Sequence, residues 1–519
     1  MAKLPNGAGP SKAMGRSGTF LSRLASDTRG NVLAIAAAST IPLIGMIGAG
    51  VDVSRAYLAK NRLQQACDAG VLAGRKLMID SVNPAVTAEV RKFVNFNFPQ
   101  RTLETTPFVI NPTEGTNEAI NLTLQTSLPT ELVKVLGVTS FPISATCTAR
   151  QDFVNTDIML VLDTTLSMNC LPSEAASTYC PTEKSSSKMR ALRDGVIELY
   201  RSLRDPQTRL EGAGLRLRYG IVPYSVTVNT GKLVQAKNAS WIRNPAIYQV
   251  CNYDRNGNCD SVSARSVSHD AAWLSSWSGC IEERATPPSI RATSGYTAPT
   301  GAHDLDIDSA PTSEQSKWAP YDPATVTAKS GYPGIDSACP KASRALAPIA
   351  TQADMSTYLN SMTAGGYTYH DIGLIWGARL ISPTGMWSSD NPTTFNTFPV
   401  NRHMIFMTDG AMDPDLYTYS AYGVEAHSAG GRRITADGNA ARQLESHIQR
   451  FRIMCNKIKG MDISLWVIAF GTSTGTGLSD ELKNCASSHS QAFKADNQAG
   501  LNERFRQIGE SIGALRLSE

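Results

Sequence analysis

The pattern of apolar and polar positions divides the chain into three stretches. The first is Val32–Val51 (VLAIAAASTIPLIGMIGAGV), 20 residues without a charge. As a helix at ~1.5 Å per residue it spans roughly 30 Å, the hydrocarbon thickness of a bilayer. Pro42 inside it is tolerated in membrane helices. The small residues Ala36, Ala37 and Ala38 also offer a cleavage site for a secretory signal. That alternative leaves an apolar region of only about seven residues before the site, with more apolar chain beyond it, so a retained anchor is the expectation. Lys3, Lys12, Arg16, Arg23 and Arg29 precede the run against Asp27 alone. This bias predicts residues 1–31 in the cytoplasm, a transmembrane helix at 32–51, and the rest outside.

The second stretch, residues 52–152, reads as a small α+β unit. Helical spacing continues through Leu77 and returns over Ala85–Phe96, and Asn117–Ser127 and Phe141–Arg150 alternate as strands. The third stretch, 153–519, has another rhythm. Ile158–Leu162 is a continuous apolar run, and Leu215–Tyr224, His403–Met407 and Ile463–Phe470 read as further buried strands. Between them lie amphipathic helices. Met189, Leu192, Val196, Leu199 and Leu203 mark one across Ser187–Arg204, ended by Pro206. Leu444, Ile448, Phe451, Cys455 and Ile458 mark a second, and Leu501, Phe505, Ile508 and Ile512 a third. Buried strands alternating with such helices predict an α/β fold with a mostly parallel sheet flanked by helices. From about 233 to 353 the rhythm is lost in a Ser-, Pro-, Trp- and Cys-rich segment, which is expected to be a large, disulfide-tied insertion.

Charge and cysteine change the picture modestly. A net charge of +4 over 519 residues gives no case for nucleic acid. The ten cysteines form no CxxC pair, so zinc ribbons and thioredoxin-like sites are not expected. An even number outside the cytoplasm reads as disulfides, with the neighbours Cys170/Cys180 and Cys251/Cys259 as plausible pairs.

The chemistry is concentrated at strand ends. Asp163-Thr164-Thr165-Leu166-Ser167 follows directly on the first strand of the sheet, alternating a carboxylate with two hydroxyls. Thr408-Asp409-Gly410 follows a second strand, and Gly365-Gly366-Tyr367-Thr368 forms a turn before a helix at Asp371–Leu380. The carboxyl edge of an open α/β sheet is where ligands bind. Asp163, Thr165, Ser167, Thr368 and Asp409 offer oxygen donors only, which suits Mg²⁺ foremost, or Mn²⁺ or Ca²⁺, rather than zinc. Neutral hydroxyl ligands leave such an ion able to accept a partner's carboxylate, a device for binding rather than catalysis. The alternative is that the same residues serve as loop caps and hydrogen bonds without a metal.

In this order, D-x-[ST]-x-S, a Gly-flanked Thr and [TS]-D-G resemble the metal-ion-dependent adhesion site (MIDAS) of von Willebrand factor A (vWA) domains. The resemblance implies that Ser167, Thr165 and Thr368 bind the ion directly or nearly so, with Asp163 and Asp409 acting partly through water. Leu166 stands where Gly is frequent. Arg29-Gly30-Asn31, Asp52-Val53, Leu63-Gln64-Gln65-Ala66-Cys67-Asp68-Ala69 and Ile512–Ser518 resemble TadE/TadG-like Flp (Tad) pilus-assembly proteins. That implies a single-pass protein of the bacterial inner membrane, its bulk periplasmic, with a protein partner in the pilus apparatus. Cleavage by a prepilin peptidase is not expected, because Ile35 stands where a Glu belongs.

Three weaker patterns remain. Gly471-Thr472-Ser473-Thr474-Gly475 matches the G-x-S-x-G elbow of hydrolases, but only His489 follows it and no acid-bearing strand precedes that His, so no enzyme is expected. Asp254–Asp260 departs from the EF-hand pattern, with Arg265 in place of the bidentate Glu, and reads as a hairpin turn. Asp304, Asp306 and Asp308 alternate as a solvated edge would. The competing functions are therefore a pilus-assembly scaffold, a surface-displayed metal-dependent adhesin and, least favoured, a hydrolase.

Overall fold

The computed structural model describes residues 31–78, 81–115, 119–149, 154–175, 178–256, 259–288, 290–326, 338–427, 434, 438–471 and 478–513. They form two compact units dividing between Asp152 and Phe153.

In the first unit, helix α1 runs Asn31–Leu77 through Pro42. Among the described residues it holds the one stretch long and apolar enough to cross a membrane, Ala38–Leu77. Its later turns change character. Ala59, Leu63, Ala66 and Val71 recur at helical spacing and are buried against helix α2, Pro84–Asn97, and the hairpin of β1, Ile120–Pro129, and β2, Ser140–Ala149. Asn83 caps α2 by accepting from the Ala85 and Val86 amides, and Pro84 opens its first turn. The two helices approach closely because Gly74 lacks a side chain: a Cβ there would lie 2.3 Å from Val90 Cγ2. Cys67–Cys147 bonds α1 to β2.

The second unit is built on one sheet. Its strands are β3, Asn155–Asp163, and β4, Leu217–Tyr224. After a separate hairpin of β5, Ala246–Tyr253, and β6, Cys259–Val267, come β7, Arg344–Ala347, β8, Phe398–Thr408, β9, Ile463–Phe470, and β10, Ala492–Ala495. The sheet order is β7-β4-β3-β8-β9-β10, parallel except at the edge strand β7, and the two-residue strand Thr394–Phe395 pairs antiparallel with the start of β8. Both faces are covered. Ile158, Leu160 and Leu162 of β3 pack with Met189, Leu192 and Leu199 of α3, Lys188–Ser202, and with Leu501, Phe505 and Ile508 of the C-terminal helix Gln498–Ile512. Met159 and Val161 face the other way, against α4, His370–Ile381, and α5, Ala440–Lys459. Apolar residues on both faces of a fully buried strand are what a sheet covered on both sides requires.

The segment expected as an insertion is tied by Cys251–Cys259 and Cys280–Cys339. Part of it forms a small cluster of Tyr248, Tyr321 and Val326 with Tyr419. The rest shares the main core, where Trp277, Ile281, Leu305 and Trp318 join Tyr224 and Trp376. Its expected end at about 353 overshoots, because Arg344–Ala347 is the edge strand, too short to show an alternating pattern. The expectation of a solvated edge at Asp304, Asp306 and Asp308 also fails. Asp304 is fully buried and pairs with Arg450 at 3.0 Å, while Asp308 pairs with Lys457 at 3.0 Å. Asp254 Oδ1 accepts from the Asn256 amide, a turn between β5 and β6. Residues 472–475 of the G-x-S-x-G pattern, and Gly257 and Asn258 of that turn, lie outside the described residues.

Candidate metal centre

Strands β3 and β8 are parallel neighbours with Leu162 opposite Met407, so the residues that follow them meet at the carboxyl edge. Asp163 is fully buried there and Asp409 likewise. Asp163 Oδ1 accepts from the Thr165 amide at 2.8 Å and the Thr165 hydroxyl at 2.7 Å. The Ser167 hydroxyl donates to Asp409 Oδ1 at 2.9 Å, and the Thr165 and Ser167 oxygens stand 3.1 Å apart. That contact is a hydrogen bond in which either hydroxyl can donate, and it links the two carboxylate–hydroxyl pairs. An oxygen-lined centre of this kind fits a hard divalent cation.

Thr368 is held through its backbone. Its backbone pairs with Asp413 in both directions, and the turn before it is stitched to the Asp163 loop by Leu166 N–Gly366 O at 3.0 Å and Gly365 N–Thr164 O at 2.9 Å. Gly366 has φ +81°, and a Cβ on it would press within 3.1 Å of Val226 and Ala338. The hydroxyl of Thr368 makes none of the hydrogen bonds that link the other four residues.

Burial and then the Asp409 carboxylate push the Asp163 carboxyl up to about 7, against hydrogen bonds from Thr165 and Thr408. The Thr408 hydroxyl donates to Asp163 Oδ2 at 2.8 Å and touches His370 Nε2 at 2.9 Å. Burial drives His370 down to about 3, so a neutral ring donates its Nε2 proton to Thr408. His370 thus fixes Thr408, which fixes Asp163.

Sequence reasoning missed Lys188, as it missed the parts played by His370 and Thr408. The Lys188 ammonium lies 2.9 Å from Asp409 Oδ2, with both side chains essentially excluded from solvent. A cation in the first turn of α3 opposes the helix dipole, so its placement there answers to Asp409. The signal was present: Lys188 stands four residues before Leu192, in register with the buried stripe. Gly471, at the end of β9 with φ +92°, makes room for the lysine stem, since a Cβ there would lie 3.3 Å from Lys188 Cε. Beside Gly410 a cavity of about 220 Å³ opens between His370, Met412, Leu444, Ile448, Phe451 and Leu482. A second acidic grouping, Cys170, Glu174 and Cys180, offers no metal site because its sulfurs form a disulfide.

The family model described as Flp pilus-assembly TadE/G-like matches residues 30–78. Those residues are similar to the TadE/G-like pilus-assembly family. The TadE/G-like segment covers α1 from its apolar start to its end in the core of the first unit. No curated protein matches the chain. Solved structures similar to it include the pilus adhesin SpaC from Lactobacillus rhamnosus GG, 10% identical, covering 78% of this chain and 34% of that one, with a TM-score of 0.33. This chain therefore spans about a third of that adhesin. The vWF domain of the type V pili tip protein Mfa5 from Porphyromonas gingivalis is 11% identical, covering 70% of this chain and 98% of that one, TM-score 0.31. Proximal thread matrix protein 1 from the mussel byssus, with a zinc-occupied MIDAS motif, is 11% identical over 70% of this chain and 48% of that one, TM-score 0.28.

Proposed function

We propose that the chain is a membrane-anchored envelope component of Tad/Flp pilus assembly or secretion that engages a protein partner through a divalent cation. One observation carries this reading: a TadE/G-like segment and a carboxylate–hydroxyl cluster at a sheet's carboxyl edge occur in the same chain. The second unit is read as a vWA-type domain with a MIDAS-type centre. Asp163, Thr165, Ser167 and Asp409 would hold the ion, with Thr368 as the fifth contributor. Mg²⁺ is the expected ion, with Mn²⁺ or Ca²⁺ as alternatives. When bound, it supplies a Lewis-acidic contact for a carboxylate of the partner. Lys188 tempers that affinity by neutralising Asp409 in advance.

Helix α1 is read as crossing the bacterial inner membrane once, its start cytoplasmic and both units periplasmic. Five disulfides support an oxidising compartment. The role is binding, not catalysis. A surface-displayed adhesin using the same centre is the second reading, and the apolar run in α1 favours the first. The test is calorimetric titration of the detergent-solubilised full chain with Mg²⁺, Mn²⁺ and Ca²⁺, wild type against Asp163→Ala. Binding that disappears in the variant is the expected result. Equal heats in both proteins would remove this cluster from the mechanism.

A further inference from the structure

The turn that joins β1 to β2 is unusually apolar for a hairpin loop. Val133–Leu136 makes one 3₁₀ turn closed by Gly137 at φ +89°, and only Val133 points into the core. Leu132, Leu136 and Val138 are exposed, and Val135 is 85% exposed. A loop with four solvent-facing aliphatic side chains needs an occupant for that surface.

Its place in the fold says which. The Asp52 carboxylate accepts from the amides of Glu131, Leu132 and Val133 at 3.1, 2.8 and 2.9 Å, pinning the loop to α1. From there the loop runs toward the apolar end of the helix. Two glycines of α1 let it lie close: a Cβ on Gly48 would sit 2.8 Å from Leu132 Cβ, and one on Gly45 3.2 Å from Leu136 Cδ1. Gly45 is seven residues before Asp52, so the loop reaches ~10 Å along the helix axis into the apolar run. At the same level of the helix Leu43, Ile44, Met46 and Ile47 are exposed too. The charges gather at the other side: Arg55 lies 3.7 Å from Asp52 and 3.6 Å from Glu131, and Lys134 lies 3.6 Å from Glu131. Apolar tips below a ring of ion pairs match the hydrocarbon and headgroup layers of a bilayer, with Lys134 long enough to snorkel.

We propose that the Leu132–Val138 loop is a second membrane contact, dipping into the same bilayer leaflet that α1 enters and setting the depth and tilt of the first unit. This rests on reading α1 as the membrane anchor. The test uses the full chain reconstituted into phosphatidylcholine/phosphatidylglycerol vesicles. All ten native cysteines are in disulfides, so Val135→Cys adds a single thiol for an environment-sensitive fluorophore. Ile47→Cys reports the anchor. Phe96→Cys reports water, since Phe96 is 83% exposed on the part of α2 that packs beside Gly70 of α1, well past Asp52. The bilayer should blue-shift the Val135 and Ile47 probes, lipids carrying a nitroxide near the top of the acyl chain should quench them, and the Phe96 probe should show neither change. A quenched Ile47 probe with an unquenched Val135 probe overturns the loop's insertion while keeping the anchor. Both unquenched overturns the anchor and the loop together.

Discussion

Lys188→Met isolates what the buried ammonium does. Methionine keeps most of the stem that packs beside Gly471 and removes only the charge. Asp409 then stays buried with the Ser167 hydroxyl still donating to it but without its cation. Removing one partner of a buried ion pair typically costs 3–5 kcal/mol, and the retained hydrogen bond argues for the lower end, about 3 kcal/mol. If a divalent ion and the ammonium compete for Asp409, the same free energy reappears in the metal-binding arm of the cycle. At 1.4 kcal/mol per decade, Mg²⁺ should bind the variant up to ~100-fold more tightly than the wild type. Mg²⁺ should also restore most of the lost thermal stability. Titration calorimetry and melting curves with and without Mg²⁺ measure both arms. A variant that is destabilised yet binds Mg²⁺ no better than wild type would refute the competition and make Lys188 a structural counter-ion only.

Other tests follow from the same structure. Because the Asp163 carboxyl titrates at about 7, protonation competes with the ion, and lowering the pH from about 8 to about 6 should weaken Mg²⁺ binding roughly tenfold in calorimetry. His447 is buried between Asp371 at 2.7 Å and Glu425 at 3.1 Å. Burial alone would depress it, but the two carboxylates outweigh burial and hold it up to about 9. Its raised value contributes stability that is full below pH 6.5 and lost as pH rises through 9, on the order of 3 kcal/mol. Denaturant unfolding of wild type against His447→Gln should therefore differ most at about pH 6 and converge as the pH rises past about 9. Cys280→Ala with Cys339→Ala opens a disulfide of sequence separation 59 and should cost about 4 kcal/mol, read by urea unfolding.

The legible parts of this chain were those with a strong local period. The α3 stripe and the apolar run of β3 are found within a few residues of their sequence-predicted bounds, because burial on one or both faces dictates them. Asp163, Thr165, Ser167 and Asp409 were legible because strand ends fix where carboxylates can meet. Thr368 was legible in position, but its hydroxyl does not join the others. Strand β8 begins at Phe398, five residues before the apolar run starts, since the side chain of Asn155 binds the Phe395 and Phe398 carbonyls and Arg402 is buried beside Asp157. Such polar strand residues carry no hydrophobic signal. Lys188, Thr408 and His370 escaped for a related reason: each acts on the centre through a partner distant in sequence. The acidic residues of 304–308 misled because an alternating pattern does not reveal whether Arg450 or water faces it.

The bond between Cys67 and Cys147 has a mechanical consequence. If α1 is held in a membrane and the second unit is pulled, as in an assembling pilus, tension runs from Cys67 straight to Cys147 and on to the sheet. Helix α2 and the β1–β2 loop sit in the covalent bypass, off the line of force. The 80 residues of sequence separation, roughly 280 Å of extended chain, stay reeled in until the disulfide is reduced. The first unit behaves as a short, stiff tether, and only a thiol reductant turns it into a long, compliant one.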